Sequence, residues 1–303
     1  MKFDREALKT RIAVADGGWS TQLQMRGVPA DVMAETANLT HPDVVIELGR
    51  AYLDAGAQFI TTNTFAANRF SIERREITYS VDDINRRGAE LAREAIGSAD
   101  AWVAGSIGPS GKILAVREAT EEQLTPLFEE QARALAAGGA DVIVLETFSE
   151  LAEILLALSV VKKATGLPVI TSMSFDSGPQ RTRTMMGAQA GECAAALEDA
   201  GADVIGCNCG AGVNHVLPAV VALRAGTSRP LWVKPNAGMP ELQDGQAVYT
   251  QSADEFVSFL PPIIDAGADV IGGCCGSGPE HIRRVAKLLA TRGGRRSAGE
   301  LSE

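Results

Sequence analysis

The sequence has little positive charge and no long apolar run. Its 28 Lys and Arg residues are outnumbered by 38 Asp and Glu residues, which gives a net charge of −10. The one basic run, at 292–296, is too short for a nucleic-acid-binding surface. The first residues lack the apolar core of a signal peptide, and no stretch is apolar enough to span a membrane. We therefore expect a cytoplasmic protein that binds neither nucleic acid nor membranes.

Cysteines are few, and none forms a zinc knuckle. Five occur in 303 residues, and neither Cys207-Asn208-Cys209 nor Cys274-Cys275 has the two to four intervening residues that structural zinc sites usually show. In a cytoplasmic protein, cysteines are more typically thiols or metal ligands than disulfides.

Four of these cysteines follow two copies of one sequence. Asp-Ala-Gly-Ala-Asp-Val-Ile-Gly occurs at 199–206 and again at 265–272, so each cysteine-bearing turn follows the same short strand. If both strands deliver thiols to one end of a barrel, three thiolates with an open fourth position would make a catalytic zinc site. Adjacent Cys274 and Cys275 share an ion only if the chain leaves the strand, which the flanking glycines permit. The alternative is a set of buried, inert cysteines, and spacing alone leaves both readings open.

The same unit, a glycine-closed helix followed by a β-branched strand, occurs twice more, at 54–60 and 137–143. With four strands between the copies, eight strands alternate with helices. This pattern predicts an α/β protein with a single-domain (β/α)8 TIM barrel, whose active site lies at the C-terminal ends of the strands. We place the barrel at 1–290 and a flexible Gly-, Arg- and Ser-rich tail at 291–303. The other predicted segments are strands 12–15, 102–105, 168–172 and 231–234, and helices 42–55, 81–96, 120–137, 150–165 and 251–266.

Polar residues follow the predicted strands, where a barrel enzyme binds its substrate. Asp16 and Glu146 are the carboxylates best placed to hold a cationic amino group, although either could instead cap a loop or lie in solvent. Two long loops at the same end, 176–191 and 237–249, close over a substrate, receive a partner or are ordinary insertions.

Seven motifs at the strand ends form an ordered set. They are Asp16-Gly17-Gly18, Thr62-Asn63-Thr64-Phe65, Gly105-Ser106-Ile107-Gly108-Pro109, Glu146-Thr147-Phe148, Asn208-Cys209-Gly210, Val233-Lys234-Pro235-Asn236-Ala237-Gly238 and Gly272-Gly273-Cys274-Cys275-Gly276. Together they resemble the homocysteine S-methyltransferase family, and most closely the homocysteine-binding domain of cobalamin-dependent methionine synthase. The resemblance covers roughly residues 10–290.

The resemblance implies ligands and substrate contacts residue by residue. The family's zinc ligands are the Cys after Asn on one strand and the Cys pair after the last strand. The family's two carboxylates hold the amino group of homocysteine. In this sequence the zinc ligands, which are also the catalytic residues, would be Cys209, Cys274 and Cys275, whereas Cys193 and Cys207 fall outside the pattern. The implied substrate-binding residues are Asp16, Gly17, Asn63, Glu146, Asn208 and Asn236.

The implied activity is zinc-dependent conversion of homocysteine to methionine, in which a homocysteine thiolate attacks a methyl donor. A separate methyl-corrinoid protein carrying methylcobalamin is the favoured donor, because the 234–238 loop resembles the methionine synthase branch. The alternative is a sulfonium, S-methylmethionine or S-adenosylmethionine. Betaine is less expected, since Ala66 stands where the betaine-using branch carries an aromatic residue. Residues 17–21 also depart from the usual Gly-Ala-Met-Gly-Thr.

Two readings from other classes compete with this one. Lys234 at a strand end could form a Schiff base in an aldolase. The paired cysteines could equally serve a non-enzymatic metal-holding or redox-sensing protein.

Overall fold

Eight parallel strands form the predicted barrel. The computed structural model describes residue 3 and residues 5–243 and 246–292. The barrel strands are β1 Ala13–Val14, β2 Phe59–Thr61, β3 Trp102–Ile107, β4 Val142–Phe148, β5 Val169–Met173, β6 Val204–Cys209, β7 Leu231–Pro235 and β10 Ala268–Ile271. The two other strands of the described residues, β8 Glu241–Gln243 and β9 Gln246–Val248, form a separate sheet. The order of the strands in the large sheet is β1-β10-β7-β6-β5-β4-β3-β2, and a parallel bridge between Ala15 and Phe59 closes it. The (β/α)8 fold is therefore confirmed.

Helices connect successive barrel strands and cover the outside of the sheet. Several predicted bounds are close to the observed ones: the helix predicted at 81–96 has those bounds, and Thr120 is the residue that caps the helix after it. The α-helices of the described residues are α1 Ser20–Gln24, α2 Ala37–Thr40, α3 Pro42–Asp54, α4 Arg69–Arg74, α5 Val81–Ile96, α6 Glu121–Ala137, α7 Leu151–Thr165, α8 Ala190–Asp199, α9 Leu217–Gly226, α10 Ala253–Ser258, α11 Leu260–Asp265 and α12 Pro279–Thr291.

The prediction of one helix at 251–266 is wrong. Two short helices, α10 and α11, replace it, and Phe259 lies between them. Pro261 and Pro262 stand in the first turn of α11. Because proline has no backbone N–H and its ring clashes with the preceding turn, these residues start a helix more readily than they continue one.

The two long loops have structure of their own. The 237–249 loop contains the antiparallel pair β8 and β9. The 176–191 loop is held by isolated bridges that join Arg183 to Ser177 and to Gln189. The predicted tail lies outside the described residues beyond Arg292. Within the described ranges, no helix is long and apolar enough to cross a membrane.

The barrel interior changes from apolar to polar toward the C-terminal ends of the strands. An apolar cluster fills the lower interior and includes Phe59, Ala104, Val144, Ile170 and Trp232. Because alternate residues of a strand share a face, the residue two positions later on each strand also faces inward. Those residues form a buried layer that we call the polar layer: Thr61, Ser106, Glu146, Ser172 and Lys234.

Candidate active site

Three thiols converge above the polar layer. The sulfurs of Cys209, Cys274 and Cys275 all lie within 4.8 Å of one another, and those of Cys209 and Cys274 are 3.0 Å apart. Across the described residues, this is the one group of His, Cys, Asp or Glu side chains placed to hold a metal ion. Cys193 and Cys207 are buried in the core, and burial raises their pKa values to about 11 and about 12. Those two cysteines are therefore neutral, unreactive thiols.

The backbone leaves the regular strand at each cysteine turn. Strand alternation would direct Cys209 to the same helix-facing side as Ile205 and Cys207, which belong to the outer core. Cys209 instead has a left-handed φ of 58°, which changes the direction of its side chain at the barrel mouth. Cys274 and Cys275 lie beyond the end of β10, so strand alternation no longer separates them.

Two asparagines brace these turns. The Oδ1 of Asn208 accepts hydrogen bonds from Thr147 N at 2.8 Å and Ser172 Oγ at 2.7 Å, and its Nδ2 donates to Thr147 Oγ1 at 2.6 Å. Asn236 donates to the carbonyl of Gly210 at 2.9 Å and accepts from Cys275 N at 3.0 Å. Asn236 thus ties one cysteine turn to the other. Contact of either asparagine with a substrate stays a prediction.

Strand β4 carries a second left-handed residue beside the thiols. Thr147 has a φ of 65°, lies where the register between β4 and β5 shifts, and places its Oγ1 3.9 Å from Cys209 Sγ. A non-glycine residue in this region costs on the order of 1–3 kcal/mol, and such residues cluster at functional sites. Thr147 and Cys209 therefore mark this end of the barrel as a site.

Asp16 is buried in an ion pair. Its Oδ1 lies 2.5 Å from Lys234 Nζ, and neither side chain is more than 3% exposed. Its Oδ2 accepts from Thr61 N at 2.7 Å, Thr61 Oγ1 at 2.8 Å and Trp19 Nε1 at 2.9 Å. Asp16 is thus neither a solvated strand end nor a cap of its own loop.

Glu146 is the other buried carboxylate of the mouth. It accepts a hydrogen bond from Ser106 Oγ through Oε1. Burial raises its pKa to about 7, although the positive charge of Lys234 opposes that shift. The carboxyl group is therefore close to its midpoint of ionisation at neutral pH.

Lys234 has the wrong ionisation for a Schiff-base lysine. Burial lowers its pKa, but the charges of Asp16 and Glu146 raise it, and the net shift is upward. A nucleophilic lysine needs a lowered pKa, so this structure does not favour the aldolase reading. Sequence reasoning missed the pairing of Lys234 with Asp16, which are 218 residues apart.

Gly17 and Asn63, two further predicted substrate contacts, are packed within the mouth loops. A Cβ at Gly17 would lie 2.8 Å from both Ser277 O and Tyr52 Oη, so only glycine fits there. The amide of Asn63 donates to Ala34 O at 2.8 Å and to Asn38 Oδ1 at 3.2 Å, which braces the loop after β2. Substrate contact by either residue remains a prediction.

Tyr249 is a site residue that the sequence did not reveal. It follows the β8–β9 hairpin, and burial together with the neighbouring Cys275 raises the pKa of its hydroxyl. A Cβ at Gly276 would lie 2.3 Å from the Cβ and Cγ of Tyr249, so the tyrosine packs directly on the cysteine turn. Tyr249 therefore connects the β8–β9 hairpin to the turn that carries Cys274 and Cys275.

The donor set suits a thiophilic metal ion. Hydrogen bonds from Cys209 and Cys274 lower the pKa of Cys275 to about 3, whereas those to Cys274 and Cys275 raise the pKa of Cys209. Three thiolates at this separation need a cation, and zinc accepts such ligands.

Comparison with known proteins gives a consistent result. A sequence model described as homocysteine S-methyltransferase matches residues 13–289. The methionine synthase of Mycobacterium leprae is 31% identical, with 95% of this chain and 25% of that protein covered. The betaine–homocysteine S-methyltransferase 1 of Danio rerio is 30% identical, with 93% of this chain and 74% of that protein covered.

A solved structure has the same fold. The metallated form of the homocysteine methyltransferase MmuM from Escherichia coli matches with a TM-score of 0.78 at 24% identity, covering 94% of this chain and 99% of that one. By contrast, this chain spans about a quarter of the length of the methionine synthase it resembles.

Proposed function

The chain belongs to the homocysteine S-methyltransferase family, and from that premise we propose that it transfers a methyl group to the sulfur of homocysteine, yielding methionine. The observation that carries this proposal is the convergence of Cys209, Cys274 and Cys275 at the C-terminal end of the barrel. Catalytic sites of this fold lie at that end.

The three cysteines are the proposed ligands of a zinc ion. The zinc ion would hold the sulfur of homocysteine as a thiolate at neutral pH. The thiolate sulfur then forms a bond to the methyl carbon while the bond from that carbon to the donor breaks, and the electron pair leaves with the donor. Asn208 and Asn236 hold the two cysteine turns in place for this reaction.

The polar layer is the proposed site of the amino-acid head group. Glu146 is buried beside the thiols and can accept a hydrogen bond from the substrate's ammonium group. The set of substrate-binding residues proposed from the family is Asp16, Gly17, Asn63, Glu146, Asn208 and Asn236.

The proposed methyl donor is methylcobalamin carried by a separate corrinoid protein. This choice rests on the methionine-synthase-like loop at 234–238 and on the likeness to a methionine synthase over about a quarter of that enzyme's length. A sulfonium donor is the alternative.

A direct assay tests the function. The zinc-loaded protein is incubated with homocysteine and, separately, with methylcobalamin, S-methylmethionine, S-adenosylmethionine and betaine, and methionine is measured. We expect methionine from methylcobalamin, slowly with the free cofactor and faster with a cognate corrinoid protein.

The same assay has two contrary outcomes. Turnover with S-methylmethionine and none with methylcobalamin would replace the corrinoid proposal with the sulfonium alternative. No methionine from any donor, in a folded and metal-loaded protein, would refute the proposed function itself.

A further inference from the structure

One of the hydrogen-bond donors that orient Asp16 comes from a loop and not from a barrel strand. Thr61 of β2 donates to Oδ2 through its backbone N at 2.7 Å and its Oγ1 at 2.8 Å, and Lys234 of β7 donates to Oδ1. The fourth donor is the indole Nε1 of Trp19, 2.9 Å from Oδ2. Trp19 lies in the loop after β1, directly before α1 begins at Ser20. The orientation of this buried carboxylate therefore depends partly on a half-buried loop residue.

Helix α3 holds the indole of Trp19 in place. The centre of the indole lies 6.1 Å from the centre of the Tyr52 ring, at an interplanar angle of 56°. On the same helix, a Cβ at Gly49 would lie 3.8 Å from the edge of the indole, which is van der Waals contact. Tyr52 also donates its hydroxyl to Gly18 O at 2.6 Å, which fixes the backbone next to Trp19. A packed ring on a fixed loop thus directs the N–H of Trp19 at Asp16.

The methionine synthase pattern has no such donor. Its usual Gly-Ala-Met-Gly-Thr places a methionine where this chain has Trp19, and a thioether has no N–H. The hydrogen bond from Trp19 to Asp16 is therefore not part of that pattern.

We propose that Trp19 is a positioning residue, which holds the Asp16 carboxylate in the orientation in which it contacts the ammonium group of the acceptor. This inference rests on the proposed function and deepens it. The three hydrogen bonds to Oδ2 restrict rotation of the carboxylate about its Cβ–Cγ bond. Because a charge-assisted hydrogen bond depends on direction, a carboxylate that rotates more freely binds an ammonium group less tightly. Trp19 acts through Asp16, so its effect is confined to acceptors that carry an ammonium group.

The binding of three thiols tests this role. Homocysteine and 3-aminopropane-1-thiol have an ammonium group, whereas 4-mercaptobutanoic acid has none. Their dissociation constants are measured calorimetrically on the zinc-loaded unmodified protein and on zinc-loaded Trp19→Phe, which keeps an aromatic ring beside Tyr52 and removes the N–H. Trp102→Phe is the matched control. The Nε1 of Trp102 is buried at the opposite end of the barrel and has no hydrogen-bond partner among the described residues.

The expected pattern is selective. Trp19→Phe should weaken binding of homocysteine and of 3-aminopropane-1-thiol by about three- to tenfold. It should leave the affinity for 4-mercaptobutanoic acid unchanged within about twofold, and it should keep its zinc. Trp102→Phe should change none of the three affinities. In an Asp16→Asn background, Trp19→Phe should cause no further selective loss, because the two changes act on one contact and are not additive.

Other outcomes overturn the inference. Equal weakening of all three thiols, or loss of zinc, would show that Trp19 maintains the shape of the barrel mouth and does not orient Asp16. Unchanged affinities for the two amines would refute the role of Trp19 while leaving the proposed function intact. If Trp19→Phe does not fold, replacement of Trp19 by 3-benzothienylalanine, which keeps both rings and has no N–H, provides the same comparison. If none of the three thiols binds the zinc-loaded unmodified protein, the proposed function itself fails.

Discussion

At the scale of single residues, the site is a set of buried charges that stabilise one another. Lys234 and Asp16 form an ion pair at 2.5 Å, and Glu146 lies near enough for the charge of Lys234 to oppose the effect of its burial on its pKa. Burying charged groups generally costs stability, and such groups are retained where they serve recognition or chemistry. Burial of Glu146 has a measurable consequence, because it moves the pKa of this carboxyl group into the neutral range.

Glu146 should make the metal-free protein less stable as pH rises. Its folded-state pKa of about 7 lies above the ordinary value of 4.5, so between these pH values the folded state holds a proton that the unfolded state releases. The free energy of unfolding should therefore fall with pH, and this contribution amounts to about 2–3 kcal/mol between pH 5 and pH 8. In Glu146→Gln that contribution is absent.

Denaturant unfolding of the two proteins at a series of pH values measures the effect. The stability of Glu146→Gln relative to the unmodified protein should increase by about 2–3 kcal/mol from pH 5 to pH 8. Glu122→Gln, at a fully exposed position, is the control and should show no such increase. A pH-independent difference for Glu146→Gln would show that the carboxyl pKa is not raised.

At the scale of secondary-structure elements, the position of the thiols depends on how closely β6 approaches β7. Gly206 pairs with Trp232, and a Cβ at Gly206 would lie 1.8 Å from Trp232 O. Because the obstructing atom belongs to the backbone of a central strand, it cannot move aside cheaply. Asn208 and Cys209 follow on the same strand, so the spacing of these two strands also positions the site.

Gly206→Ala should therefore separate β6 from β7 and disturb the thiol cluster. We expect a loss of about 3 kcal/mol or more in the free energy of unfolding, together with reduced zinc content. Gly166→Ala is the matched control, because its φ of 66° strains the backbone but no heavy atom lies within 4 Å of the added Cβ. The control should lose about 1–2 kcal/mol and keep its zinc. Equal effects in the two variants would contradict the close-approach argument.

The elements also show what sequence can and cannot predict. The repeated Asp-Ala-Gly-Ala-Asp-Val-Ile-Gly, its two weaker copies and four further apolar segments predict the strand alternation, and the repeat itself indicates that two cysteine turns lie at one end of a barrel. The division at Phe259 was also readable, since Pro261 and Pro262 make a continuous helix unfavourable. The left-handed φ of Cys209 was not readable, because a cysteine has no local preference for it. Tyr249 likewise reaches Cys275 only through the path of the β8–β9 hairpin.

At the scale of the whole molecule, the apolar interior, the polar layer and the thiol cluster follow one another toward the C-terminal ends of the barrel strands. The apolar interior supports the polar layer, and the polar layer lies below the three thiols. In the proposed function, this vertical order would put the head group of homocysteine deeper than its sulfur, with the sulfur toward the open end of the barrel. A donor of any size could then approach the sulfur without displacing the head group, which agrees with relatives that are named for different reactions.

The central claim is that Cys209, Cys274 and Cys275 hold a metal ion that accepts the homocysteine sulfur. Cobalt(II) is a suitable probe, because its absorption reports the number of thiolates bound to it. Each of Cys209→Ser, Cys274→Ser and Cys275→Ser should bind the metal more weakly, whereas Cys207→Ala should bind it as the unmodified protein does, since Cys207 is buried away from the cluster.

The most direct measurement is the absorption of the cobalt-loaded protein as homocysteine is added. We expect a saturable increase in thiolate-to-cobalt charge-transfer absorption that reaches its limit at one homocysteine per cobalt, with the same response in Cys207→Ala. A metal-holding protein without this function would bind cobalt through the same cysteines and show no change with homocysteine. A spectrum that homocysteine leaves unchanged would show that the homocysteine sulfur does not bind the metal ion held by these cysteines.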